Sequence, residues 1–233
     1  MGWFQVVPPA GGHALRGLFS GWTKRGLGHE TWDQSSALFA WSIVWSDRDL
    51  WMLDTGCGGG LLSEAMSRLG ADVLGVDVVD RNIAAARLHA DEQGLDIRYE
   101  VNTAEALAER GEDFDVILNM EVVEHVADLP AFMASVNRML RPGGHTFLAT
   151  INRNPVSFVV AIVGAEYLFR ILPRGTHQWK RFVTPRETRD LLARDGLEPV
   201  AQTGVKVNPL TRRMWLSRSM SVNYMLLARK PAD

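Results

Sequence analysis

From Leu50 to Thr150 the chain alternates between two kinds of block. Short, almost wholly apolar blocks at Leu50–Leu53, Val73–Val76, Ile97–Val101, Phe114–Leu118 and His145–Thr150 predict strands buried on both faces. Longer amphipathic blocks between them predict helices over Leu61–Leu69, Arg81–Glu92, Thr103–Arg110 and Leu129–Leu140. Asp80 reads as the N-cap of the second helix and Gly94 as its end. Arg141-Pro142-Gly143-Gly144 reads as the stop after the fourth. Such alternation predicts an α/β, doubly wound, mostly parallel sheet, with ligands beyond the carboxyl ends of its strands.

The pattern is less regular outside this stretch. Residues 1–49 contain a breaker cluster, Pro8–Gly12, and a short aromatic run, Phe39–Trp45, that suits helix or strand equally. They read as a leader and a variable helical region. Pro155–Leu172 is strongly apolar, with Glu166 and Arg170 its only charges, and is followed by Arg174, His177, Lys180 and Arg181. Composition alone favours a buried helix; an interfacial helix with basic flanks is the alternative. Thr184-Pro185-Arg186-Glu187 is a helix start, with a capping Thr and a Glu three positions on. Leu197–Val207 and Val222–Ala228 read as an antiparallel C-terminal strand pair. The organisation expected is a variable region over 1–49, then one domain over 50–233 with an apolar helical insertion near 155–182.

Composition changes this picture little. A chain of 233 residues, 46% hydrophobic, suits a single globular domain with an appendage. A net charge of −2 gives no footprint for nucleic acid. The lone Cys57 excludes an internal disulfide and reads as a small turn residue in a reducing compartment. No secretory signal is visible, and no apolar run reaches the roughly 18–20 residues of a spanning helix.

The chemistry concentrates at two places. After the first strand come Asp54 and then Gly56, Gly58, Gly59 and Gly60, directly before helical sequence. This is where bare backbone and a helix N-terminus can approach a ligand. Asp77 closes the second strand about twenty residues after Gly56, the position of a carboxylate that holds a ribose diol. A nicotinamide loop would place glycine where Leu61 stands. GxGxG followed by leucine resembles instead the S-adenosylmethionine loop of class I methyltransferases.

The second place is Asn119-Met120-Glu121-Val122-Val123-Glu124-His125, just past the fourth strand. On a helix, Glu121, Glu124 and His125 would share one face. Such a trio can hold a hard divalent ion such as Mg²⁺ or position a general base; a solvated helix start is the structural alternative.

Together these residues are similar to the ubiquinone biosynthesis O-methyltransferase family. The resemblance rests on LDTGCGGG at 53–60, VVEHV at 122–126, RPGGH at 141–145, TINRNP at 150–155, VGAEYLFRILPRGTH at 163–177 and VNYML at 222–226. It implies a Rossmann-like class I methyltransferase fold. It also implies S-adenosylmethionine-dependent methylation of ring hydroxyls on polyprenyl phenols and catechols, at both O-methylation steps of ubiquinone biosynthesis. Cofactor-binding residues are expected to be Asp54, Gly56, Gly58, Asp77 and Met120. Glu121, Glu124 and His125 are expected to be catalytic and to bind Mg²⁺. The family assigns Val163–Phe182 to membrane lipid. The expected partners are the polyprenylated substrate, anionic lipids and other proteins of ubiquinone biosynthesis. The expected place is the cytoplasmic side of the inner membrane, bound peripherally. The family's upstream Asn-Pro-x-Arg element has no match in residues 1–49, where only Trp32-Asp33 corresponds. Two rival readings remain: a catalytically weak lipid-binding or scaffold protein on this fold, and a nicotinamide oxidoreductase.

Overall fold

The computed structural model describes residues 50–160, 178–207 and 214–232. The variable region over 1–49 and most of the apolar insertion, 161–177, lie outside the described residues. The described chain folds as strands β1 (Trp51–Thr55), β2 (Asp72–Asp77), β3 (Arg98–Val101), β4 (Phe114–Met120), β5 (Leu140–Ile151), β6 (Glu198–Val207), β7 (Met214–Ser217) and β8 (Asn223–Arg229). Helices α1 (Leu61–Arg68), α2 (Asp80–Glu92), α3 (Ala104–Glu109), α4 (Leu129–Met139) and α5 (Pro185–Arg194) accompany them. The strands form one sheet in the order β3-β2-β1-β4-β5-β8-β6-β7. Pairing is parallel from β3 through β5, and β8 runs antiparallel to both β5 and β6. The expected C-terminal strands are therefore present, with β7 added at the edge against β6.

Successive residues of the central strands feed opposite layers, as a pleated strand buried on both faces requires. On β1, Leu53 joins a core with Leu74, Ile117, Leu107, Phe132 and Val136, beneath α3, α4 and α5. Its neighbour Met52 joins Leu62, Met66, Val73, Val116 and Phe147, beneath α1. Burying a side chain of this size contributes about 1.5–3 kcal/mol. Truncating the fully buried Met66 to Ala would cost about 2–5 kcal/mol and loosen α1, which starts at the glycine loop.

Two boundaries differ from expectation for identifiable reasons. Helix α2 is capped by Val79 rather than Asp80. The side chain of Asp77 accepts from the Val79 N–H at 2.8 Å, so the acid at the strand end turns the chain into the helix one residue early. Arg141–Gly144 is not a break but an irregularity within the sheet: Phe114 pairs with Leu140 and Val116 with His145, so only Asp115 faces the intervening four residues. Arg141 binds Asp113 and Asp115 across this bulge. A Cβ on Gly144 would lie 2.8 Å from the Asp115 carbonyl oxygen, which explains the glycine.

Candidate active site

The glycine loop is built from backbone geometry. Gly56, Gly58 and Gly60 have φ of 61°, 55° and 82°, a region that L-residues adopt at a cost. A Cβ on Gly56 would lie 2.6 Å from Val122 Cγ2, and one on Gly60 2.4 Å from Tyr99 Oη. At Gly58 and Gly59 a Cβ would meet nothing within 4 Å among the described residues, so here the backbone is open to approach from that side. Asp77 latches the loop from beside it: Oδ2 accepts from Gly58 N–H at 3.0 Å and from Asn82 Nδ2 at 3.2 Å. A carboxylate has about four lone-pair sites, so these bonds and that from Val79 leave capacity for a ligand hydroxyl. Asp54 lies underneath: it is buried, and accepts from Ser63 Oγ at 2.6 Å, tying β1 to α1. It thus supports the loop from below rather than lining its open face. Burial, with Asp54 and Asp77 nearby, pushes the Cys57 thiol well above its ordinary pKa, which leaves it an inert turn residue.

The segment past β4 is not helical. Glu121 has φ of +56°, the one positive value on a described residue other than glycine, and α4 begins only at Leu129. A residue held there costs of order 1–3 kcal/mol and needs its surroundings to hold it. Glu121 N–H donates to the Ala149 carbonyl at 2.8 Å, stitching the turn to β5. The chain then curls inward. Glu124 is 4% exposed, and its Oε2 accepts from Thr150 Oγ1 at 2.8 Å. Its Oε1 is buried with no hydrogen-bond partner among the described residues. Such an atom costs about 1–3 kcal/mol or more, and asks for a functional reason. His125 follows on the exposed side of the same turn.

Around Glu124 lies a polar knot that sequence patterning missed. Tyr224, opposite Thr150 in the β5–β8 register, is fully buried. Its Oη lies 2.6 Å from Thr188 Oγ1 and donates to the Val183 carbonyl at 3.1 Å. Burial, and the charges of Glu124, Glu187 and Glu121, hold its pKa above the usual phenol range, against the Thr188 bond. Asn152 Nδ2 donates to Met220 O and Asn154 Nδ2 to Ser221 O, both at 2.8 Å. Arg153 binds the Phe182 carbonyl and the Glu187 carboxylate. The polar residues of the 150–154 stretch thus anchor the turn after β4, the approach to and start of α5, and the Met220–Ser221 segment at the carboxyl edge of the sheet.

A methyltransferase domain model matches residues 53–148. The ubiquinone biosynthesis O-methyltransferase of Roseobacter denitrificans is 53% identical over 186 residues, covering 79% of this chain and 75% of that protein. That of Brucella anthropi is 55% identical over 181 residues, covering 78% and 73%. The chain belongs to the ubiquinone biosynthesis O-methyltransferase family. Solved structures agree on the fold. The magnesium protoporphyrin IX methyltransferase of Synechocystis PCC 6803 with bound SAH matches with a TM-score of 0.63 at 19% identity, covering 92% of this chain and 94% of that one. A SAM-dependent methyltransferase of Methanosarcina mazei matches with a TM-score of 0.61 at 21% identity, covering 81% and 96%. The class I methyltransferase fold and dependence on S-adenosylmethionine follow, and the oxidoreductase and scaffold readings are not favoured.

The open backbone at Gly58–Gly59 and the Asp77 carboxylate suit the cofactor of a ubiquinone biosynthesis O-methyltransferase: a nucleoside needs close backbone approach and a diol acceptor. Met120 ends β4 half-buried at the same edge. The metal expectation is not met in the same way. No group of three His, Cys, Asp or Glu side chains that could hold a metal ion exists among the described residues. The shared helix face expected for Glu121, Glu124 and His125 does not form, because the positive φ at Glu121 breaks it. Glu124 instead turns to Thr150 and His125 to solvent. As arranged, the three side chains do not form such a group.

Proposed function

We propose that this protein transfers a methyl group from S-adenosylmethionine to ring hydroxyls of polyprenyl phenol and catechol intermediates in ubiquinone biosynthesis. The carrying observation is the extent of the similarity. It runs over 186 residues at 53% identity, well beyond the 53–148 of the methyltransferase domain that many activities share. Bound S-adenosylmethionine supplies an electrophilic methyl group on a positively charged sulfur. The chain must bind it, align the hydroxyl oxygen with it, and take up a proton.

In this reading Gly56, Gly58, Asp77 and Met120 hold the cofactor, with Asp54 fixing the loop from below. Glu121 and Glu124 face the ring hydroxyl from the turn after β4. A phenol has a pKa near 10 and is almost wholly protonated at neutral pH. Glu124 Oε1, buried and without a partner among the described residues, suits the acceptor of that proton. The hydroxyl oxygen forms the new O–C bond, the C–S electron pair stays on sulfur, and the proton passes to the carboxylate and then to water. Alignment of oxygen, methyl and sulfur supplies the rest of the rate.

The protein is further proposed to meet its substrate at a membrane surface. Among the described residues no helix is long and apolar enough to cross a membrane. Val156, Phe158, Val159 and Val160 are exposed, and Phe158 stacks edge-on against Trp179, beside exposed Lys180 and Arg181. Apolar side chains flanked by cations suit an interface of anionic lipids. Incubation of purified protein with a short-prenyl catechol and methyl-labelled S-adenosylmethionine tests the activity. The expected result is a labelled methoxy product and S-adenosylhomocysteine in equal amounts; absence of product overturns it. Flotation with phosphatidylglycerol vesicles, lost in high salt, tests the surface.

A further inference from the structure

We infer that Thr150 is a positioning residue for the methyl-transfer reaction. It holds Glu124 so that one carboxyl oxygen is taken and the other is presented to the substrate hydroxyl. The inference rests on the reaction proposed above. Thr150 lies one residue before the end of β5 and is 0% exposed. Its hydroxyl donates to Glu124 Oε2 at 2.8 Å, while Oε1 of the same carboxyl group is buried and has no partner among the described residues.

The arrangement is directional. Glu124 sits on a turn, and a turn alone holds a long side chain loosely. Thr150 sits on a strand paired on both sides in this region, with β8 directly and with β4 next to it. Its β-branched side chain has few rotamers. The adjacent residue, Ala149, accepts the Glu121 N–H. Two successive residues of one strand thus grip the turn at both glutamates, one through backbone and one through side chain. A hydroxyl is the right group here: it occupies one carboxyl oxygen by donation and brings no charge. An ammonium or guanidinium would tie up both oxygens and weaken the carboxylate as a proton acceptor. A site built this way takes its precision from the sheet rather than the loop.

The test compares T150V, T150S, E124Q and the E124Q/T150V double variant, with S-adenosylmethionine and a short-prenyl catechol. T150V keeps the shape and removes the hydroxyl. It is expected to lower kcat by about tenfold to a hundredfold while KM for S-adenosylmethionine and the calorimetric affinity for S-adenosylhomocysteine stay within about twofold. T150S, which restores a donor, is expected to recover most of that turnover. Because Thr150 acts through Glu124, the double variant is expected to be no slower than E124Q alone. Full turnover in T150V, a T150S as slow as T150V, or losses that multiply in the double variant would each overturn the inference. If T150V does not fold, T150A takes its place, with S-adenosylhomocysteine binding as the criterion of an intact fold. Absence of methyl transfer by the unsubstituted protein would defeat the functional reading itself, before any variant is compared.

Discussion

The two halves of the site are built by opposite means. On the β1–β2 side the polar groups are satisfied within the chain: Asp77 accepts from Gly58, Val79 and Asn82, and Asp54 from Ser63. The loop's contribution is empty space beside bare backbone. On the β4–β5 side a residue other than glycine sits at positive φ, and a buried carboxyl oxygen lacks a partner among the described residues. The first half satisfies its polar side chains from within the chain. The second keeps a strained backbone position and a buried carboxyl oxygen that the described residues do not satisfy.

The contrast can be broken most sharply at Glu124. E124Q keeps the shape and removes the base, and should cut kcat by about 10²–10⁴-fold with S-adenosylhomocysteine affinity unchanged. H125A, which alters an exposed side chain, should cost far less. Steady-state kinetics on both decides between them, and a larger loss in H125A would move the proton acceptor to the imidazole. On the other side the effects should fall on binding. D77A removes both the loop latch and the expected diol acceptor, and should weaken S-adenosylhomocysteine binding by about 1.5–3 kcal/mol by calorimetry. G60A forces a side chain onto Tyr99 at a φ of 82°; thermal unfolding should show a loss of about 1–3 kcal/mol.

The smallest effect lies away from both halves. Burial first, and the Arg229 charge second, lower the pKa of His145 below its ordinary 6.5. The folded state therefore binds this proton less readily than the unfolded chain. The stability it contributes is present above about pH 6.5 and is lost as pH falls through the folded pKa. Urea titrations of H145Q and the parent should run together above that pH and separate below it, where the parent loses stability and the non-titrating variant does not.

The sequence made the binding half legible because its determinants are local. Four glycines, an apolar strand before them and an acid at the next strand end are contiguous signals, and the structure places them together. The capping box of α5 was readable for the same reason: Thr184 and Glu187 cap each other within one turn. The reacting half was legible in composition but not in geometry. Helical spacing grouped Glu121, Glu124 and His125, yet the backbone reverses at Glu121 through a bond to Ala149, a residue known only once β4 and β5 pair. Thr150 stood out only as part of the TINRNP stretch, and its bond to Glu124 was unreadable because that partner lies 26 positions away in sequence. The same holds for Tyr224, whose partners are on α5 and its approach. Strand β7 was missed because four residues give too short a period to read.

The chain departs from the sheet near Asn154 and comes back near Trp179, and the two points are fastened to each other. Trp179 Nε1 donates to the Asn154 carbonyl at 3.2 Å, and Arg153 reaches Phe182 and Glu187. A detour whose entrance and exit are knotted can change its length or its chemistry without disturbing the strands on either side, since loop closure grows only slowly in cost with length. The fold can therefore take a change in that one excursion without altering the carboxyl edge of the sheet.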